Sequence, residues 1–304
     1  MTNTKALGLG YRIKRSWISY LMIAPFFILF FVFTILPVLS SIVLSFTNFN
    51  MLEMPSFVGL TNYRHLLAND QVFWIAFRNT MIFALVTGPA GYVLMVFLAW
   101  FINELRGIVR TVLTLLIYAP SMIAGAAFFI WFIIFSPDAH GYLNGFLMRW
   151  NIIHEPIMWL LDARYVLGVL MVVQLWISMG AGFLAVLAGF KAVDRTYYEA
   201  AAIDGVRNRF QELWHVTLPL IAPQMFFAAI MQLAGSFAVW EISVQMAGFP
   251  STEYAASTIV THIVDYAQIR YELGNASALA VILFFLMLVV NLGLRKMFIN
   301  KVNT

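Results

Sequence analysis

Tyr197-Tyr198-Glu199-Ala200-Ala201-Ala202-Ile203-Asp204-Gly205-Val206, with Leu218-Pro219-Leu220-Ile221-Ala222-Pro223 further on, is the stretch that decides how the chain is built. Asp194 can cap a short helix, the alanines favour its interior, and Gly205 suits a left-handed helix end. Pro219 and Pro223 set the start of the next helix, where a missing N–H costs little. Local rules therefore predict a helix, a tight turn and a second short helix. This knob carries Glu199, Asp204, Arg207, Arg209 and Glu212 in a chain of which only 11% is charged, so it protrudes into water and offers itself to a partner.

On either side of the knob the chain is largely apolar. Of its 304 residues 62% are hydrophobic and the mean hydropathy is +0.86, whereas a water-facing surface needs far more charge. A spanning helix takes about 20 mostly apolar residues. Six stretches qualify: Trp17 to Phe46, Phe73 to Ile102, Thr111 to Phe135, Tyr165 to Phe190, Leu220 to Met246 and Asn275 to Leu294. The first is too long for a signal-peptide core and lacks a small-residue cleavage site, so it reads as a retained span, kinked or ragged at Pro25 and Pro37. No internal repeat or low-complexity linker divides the chain. The expectation is an all-α membrane protein with one transmembrane domain over 17–294, between tails at 1–16 and 295–304.

The basic residues set the orientation. Lys5, Arg12, Lys14, Arg15, Arg106, Arg110, Lys191, Arg195, Arg207, Arg209, Arg295, Lys296 and Lys301 fall on one side, 13 of the 18. Arg64, Arg78, Arg149, Arg164 and Arg270 fall on the other. By the positive-inside rule both termini and the knob are cytoplasmic, as six spans also require. The net charge of +4 thus flanks apolar spans and forms no nucleic-acid stripe.

The run Glu199-Ala200-Ala201, then Gly205, then Leu218-Pro219 resembles the EAA loop of ATP-binding-cassette importer permeases, and more narrowly of the sugar type. Phe57-Val58-Gly59-Leu60-Thr61-Asn62-Tyr63, Pro137-Asp138-Ala139-His140-Gly141-Tyr142-Leu143-Asn144 and Gly274-Asn275-Ala276-Ser277-Ala278-Leu279-Ala280 resemble other segments of that family, so the likeness runs from about Ser19 to Arg295. It implies the type I importer permease fold in the cytoplasmic membrane of a prokaryote, with a coupling loop at 194–219. It also implies as partners a homologous second permease, two ATPase subunits and an extracytoplasmic solute-binding protein. Glu199 and Gly205 would fix the coupling helix; Tyr197, Tyr198, Ala200, Ala201, Ala202 and Ile203 would make its docking face, and Asp204 would belong to the same coupling loop.

Among the fourteen acids only Glu241 falls inside an apolar span, where a carboxylate is costly and marks a pathway, a partner or a gate. On the same span Gln232, Ser236, Val239 and Ser243 form one helical stripe, and Glu241 lies nearly opposite Gln232, so both face one cavity only if the helix is broken or the cavity is shared. By resemblance, this span and the one before the knob line the substrate cavity. That nominates Ile177, Ser178 and Ala181, together with Gln232, Gly235, Ser236, Val239 and Glu241, and Gln174 shares a face with Ser178 at i and i+4. Trp176 and Trp240 are placed to stack on a sugar face. Ordinary hydrogen bonding between helices is the competing reading of the same polar residues. Gly182 and Gly189, seven apart on one face, suit close helix packing.

Chemistry inside the chain is sparse. None of the five lysines follows a glycine, so no phosphate loop exists and ATP with its Mg belongs to a separate ATPase. The five histidines show no metal-ligand spacing, there is no cysteine, and no serine sits in a nucleophile elbow. An importer subunit for a sugar or oligosaccharide, not an enzyme and with no cofactor of its own, is the reading that results. The alternatives are an importer of glycerol phosphate or another small solute, or an ATP-independent channel or secondary transporter; the latter would show an internal repeat or several buried charges.

Overall fold

A computed structural model of the chain describes residues 16–302; the expected tail at 1–16, apart from Ser16, and the last two residues of the tail expected at 295–304 lie outside the described residues. In chain order the helices are α1 (Trp17–Phe30), α2 (Leu36–Leu44), α3 (Thr61–Ala68), α4 (Gln71–Glu104), α5 (Gly107–Ile123), α6 (Phe128–Ile134), α7 (Tyr142–Arg149), α8 (Val166–Ile177), α9 (Ala181–Ala192), α10 (Arg195–Ile203), α11 (Arg209–Glu212), α12 (Leu218–Leu220), α13 (Ala222–Phe237), α14 (Glu241–Ala247), α15 (Ile259–Val264) and α16 (Leu273–Val302). Among the described residues the sole β pairing is an isolated bridge between Thr47 and Phe57.

Among the described residues three stretches are long and apolar enough to cross a membrane: Trp17–Leu44, Gln71–Glu104 and Leu273–Lys296. Three bent pairs pass the same test when each is taken as one crossing: α5 with Gly125–Ile134, α8 with α9 at 42°, and Arg209–Leu220 with α13 at 83°. The fifth expected stretch, Leu220 to Met246, differs most. It turns at Ile221, where Pro223 opens α13, and stops at Phe237, with Glu241 opening the separate α14. Pro37 does not end the first span. A π-helical turn over Phe31–Ile35 precedes it, and Pro37 stands at the second residue of α2, where a missing N–H costs little.

In hydrocarbon there is little hydrophobic gain in joining helices, so close contact of small residues has to hold the bundle. The centre is α4 packed with α9 and α13. A Cβ on Gly182 would lie 3.1 Å from Met95 Sδ and 3.3 Å from the Ala228 Cα, and one on Gly189 would lie 3.2 Å from Ile221 Cβ. Both glycines therefore bring α9 against its neighbours, as their spacing predicts. Buried Met95, Ala99, Phe183, Val186 and Ala228 fill this contact.

Buried amides hold the loops at the end of α4 remote from the knob. Asn62 donates to the carbonyls of Ser45 and Thr47, both at 2.8 Å, and Gly274 packs so closely on Thr47 that no side chain fits there. Asn144 bonds the Ser136, Asp138 and Ile157 carbonyls and accepts from Trp159 Nε1 at 2.8 Å. At the same end Asp70 caps α4 through the Phe73 N–H at 3.1 Å. Its other oxygen meets His262 Nε2 at 2.6 Å and the Tyr266 hydroxyl at 2.9 Å.

Candidate functional site

Two regions carry the chemistry, and the knob is the first. Asp194 caps α10 by accepting from the Thr196 N–H at 2.9 Å, and that bond holds its carboxyl below the usual range. The helix closes as a Schellman motif: Val206 N–H bonds the Ala201 carbonyl at 3.0 Å and Gly205 N–H bonds that of Ala202 at 3.3 Å. Gly205 sits at φ +96°, where a side chain is strained. No residue of α10 is buried, and Ile203 at its tip is 88% exposed. Tyr197, Ala200, Ala202 and Asp204 are exposed, Ala201 is half-buried, and Glu199 pairs with Arg195 at 3.3 Å in the open.

Tyr198 departs from the docking face expected for it. Its hydroxyl lies 3.0 Å from Thr217 Oγ1, a buried residue, so the ring turns back toward the bundle and tethers the helix. Arg209 makes the second tether, reaching Glu212 at 2.8 Å and Glu104, the last residue of α4, at 3.7 Å. The knob thus has an outward face of small and apolar side chains and an inward face tied to two helices.

The second region is where three helices break. α5 and α6 are joined by a 3-10 segment at Ala124–Ala127, α8 and α9 part at Ser178–Gly180, and α13 and α14 part at Ala238–Trp240. These breaks adjoin one another. A Cβ on Gly180 would lie 3.7 Å from Ser121 Cβ; one on Gly125 would lie 3.3 Å from Gln245 Oε1 and 3.5 Å from Glu241 Oε1. Gln245 donates to Glu241 at 3.2 Å, and α14 packs on α8 as well as on the 3-10 segment. Irregular backbone at membrane depth persists only where it is buried in protein or lines a watered cavity.

The nominated residues divide at these breaks. Gln232, Ser236 and Val239 are drawn into the chain's own interior, contrary to a cavity-lining role. Gln232 donates to the Thr87 carbonyl at 3.1 Å, Ser236 to that of Gln232 at 2.8 Å, and the Val239 carbonyl, freed by the break, accepts from Thr258 at 2.6 Å. Hydrogen bonding inside the bundle is what this stripe does. Gly235, Trp240 and Ala181 are exposed; Gln174, Trp176, Ile177, Ser178 and Glu241 are half-buried. Because α13 ends before it, Glu241 is freed from the direction an unbroken helix would impose, and it stands in the first turn of α14, where a carboxylate is favoured. Trp176 meets Trp131 edge to face, centroids 5.5 Å apart. Gly125, Ser121 and Gln245 were not nominated; an interrupted apolar run around Gly125 is the one signal the sequence offered.

The sequence model for the binding-protein-dependent transport system inner membrane component matches residues 91–302. The chain belongs to this family. Among relatives, it is 32% identical over 229 residues to the probable ABC transporter permease protein YesP of Bacillus subtilis, covering 74% of this chain and 71% of that one. It is 35% identical over 231 residues to the lactose transport system permease protein LacF of Rhizobium radiobacter, covering 73% and 74%. Its fold is similar to that of a chain of a bacterial alginate ABC transporter solved with an alginate pentasaccharide-bound periplasmic protein. The TM-score is 0.79 at 22% identity, over 97% of this chain and 99% of that one. As a member of the family, this chain is a permease subunit of an importer.

Proposed function

We propose that the chain crosses the cytoplasmic membrane six times, with both termini and the knob inside, and passes a sugar or oligosaccharide through a cavity walled by the three breaks. The observation that carries this is the approach of Gly125 to Glu241 and of Gly180 to Ser121, one turn before Gly125: three interrupted spans bring irregular backbone and a carboxylate into one region, and lipid would not tolerate them there. Trp176, Trp240, Ser178, Gln174 and Glu241 supply ring faces and acceptors for hydroxyl groups. No Arg or Lys occurs in residues 118–131, 174–185 or 232–246, which favours a neutral solute. LacF and the arabinooligosaccharides permease AraP of Bacillus subtilis, 28% identical over 277 residues, agree with that class.

The knob is the coupling element in this reading, its outward face seated in an ATPase subunit that holds ATP and Mg, helix in groove. A second, homologous permease completes the cavity. The first span supports this, since none of the residues of α1 is buried in its own chain. An extracytoplasmic binding protein delivers the solute, and closure of two ATPases turns the cavity from one side to the other.

The glycerol-phosphate reading has one observation behind it: the sn-glycerol-3-phosphate permease UgpA of Agrobacterium fabrum is 27% identical over 277 residues. The absence of a cation from those three segments weighs against it. The test is ATPase activity of the chain reconstituted with its co-purifying subunits, offered binding protein loaded from a panel of sugars and glycerol phosphate. Stimulation by one loaded sugar supports the proposal. Solute flux with no ATPase present would overturn it in favour of a channel.

A further inference from the structure

We propose that the cleft between the knob and the ends of α4 and α9 is a binding site for a phosphate group, carried by an anionic phospholipid headgroup of the inner leaflet. It rests on the importer reading for the side of the membrane it faces, and on nothing else in that reading. The cleft encloses about 320 Å³, at the lower end of the range for small-ligand sites. Its charged lining is Arg110, Lys191, Arg195 and Arg209 against Glu104 and Glu212. Both carboxylates are engaged by Arg209, and Arg195 pairs outward with Glu199. Among the described residues Arg110 and Lys191 have no carboxylate partner, and with Glu199 counted the four cations exceed the three carboxylates by one, so the cleft keeps a net positive charge.

Arg110 is half satisfied. One terminal nitrogen donates to Asn103 at 2.8 Å, while its Nε is buried with no acceptor. An unmet buried N–H carries a desolvation cost that an anionic oxygen removes, and a guanidinium edge with an ammonium nearby suits the oxygens of a phosphate diester. Trp100 lines the same cleft near the end of α4, at the depth where indole rings sit among headgroups. Basic clefts between helices on the cytoplasmic side are where anionic headgroups bind, which favours lipid over a soluble phosphate. Tyr198 also lines the cleft, so an occupied site braces the knob against the bundle.

The experiment is native mass spectrometry of the detergent-purified complex, counting phosphatidylglycerol retained by wild type, by the double variant Arg110→Gln and Lys191→Gln, and by Arg110→Lys. Retention falls about fivefold for each cation removed, at ~1 kcal/mol per charge, while Arg110→Lys, which keeps the charge and loses the guanidinium edge, falls between wild type and the double variant. The second arm adds inorganic phosphate to vesicles of phosphatidylcholine alone and reads ATPase activity. Activity that needs phosphatidylglycerol and ignores phosphate supports the lipid. Activity restored by phosphate overturns the lipid source in favour of a soluble one. Equal lipid retention by wild type and the double variant overturns the site. The retention measurement needs no transport, so its failure is distinct from failure of the importer reading, which would show as no co-purifying ATPase.

Discussion

The Gln232 side chain lies against the backbone of Gly91: a Cβ built there would collide with Gln232 Nε2 and stand 2.9 Å from its Cδ. The amide stays there to donate to the Thr87 carbonyl, one turn earlier on α4. Gly91→Ala therefore has to expel a buried side chain and its bond, an overpacking cost of about 2 kcal/mol. The expected result is a lower melting temperature of the purified complex, restored in part by adding Gln232→Ala. No recovery in the double variant would mean that the clash lies elsewhere.

Asp70 and His262 join the start of α4 to α15. Burial alone would push the Asp70 carboxyl up, but the His262 hydrogen bond and charge, the Phe73 N–H and the Tyr266 hydroxyl outweigh it and hold it at about 2, against an ordinary 3.8. Burial and the Asp70 carboxylate in turn push the Tyr266 phenol up, keeping it a donor. Since the folded state favours the ionised form, this contribution is full above pH 3.8 and is lost as the pH falls toward 2. Asp70→Ala removes the cap and both side-chain bonds and costs about 2 kcal/mol at neutral pH. Melting temperatures between pH 4 and 2 should drop more steeply for wild type than for Asp70→Asn; parallel curves would refute the assignment.

How much of this was legible in the sequence follows from how local each interaction is. The knob was legible because the Asp194 cap, the alanines and the Gly205 turn act within a dozen residues. Gly182 and Gly189 were legible because one helix repeat fixes their common face. The break at Ala238–Trp240 was not, since the freed Val239 carbonyl is satisfied by Thr258 from another segment. A continuous apolar run hides such a stop. For the same reason the stripe of Gln232 and Ser236 read as cavity lining when its acceptors lie on α4 and on its own turn. Asp70 and His262 stand 192 residues apart, and no spacing rule reaches that far.

Gly205→Asp should abolish transport while the protein remains in the membrane. Its surroundings are open, so nothing clashes; the strain comes from φ +96°, about 1 kcal/mol for a residue with a Cβ. That is too little to unfold the chain and enough to change how α10 ends. Solute uptake beside an immunoblot of membranes checks it, and normal uptake would sink the coupling role.

The two faces of α10 should separate in mutants. Ile203→Asp places a charge on the most exposed apolar residue of the knob and should prevent the ATPase from co-purifying. Tyr198→Phe deletes only the bond to Thr217 and should leave co-purification intact while lowering the solute moved per ATP hydrolysed. If Tyr198→Phe instead releases the ATPase, Tyr198 belongs to the docking face after all.

Glu241→Gln tests the cavity and the substrate class together. The substitution keeps shape and an acceptor for Gln245, so the fold and ATPase docking are expected to be unchanged. What it removes is the charge. A neutral sugar that donates a hydroxyl to the carboxylate loses a charge-assisted bond worth about 1.5 kcal/mol, and uptake at limiting solute falls roughly tenfold. A glycerol phosphate facing the same carboxylate is repelled by it, and removing the charge would raise uptake. The sign of the change therefore decides the class of solute. No change with any solute would place Glu241 outside the path and return the three breaks to a structural role.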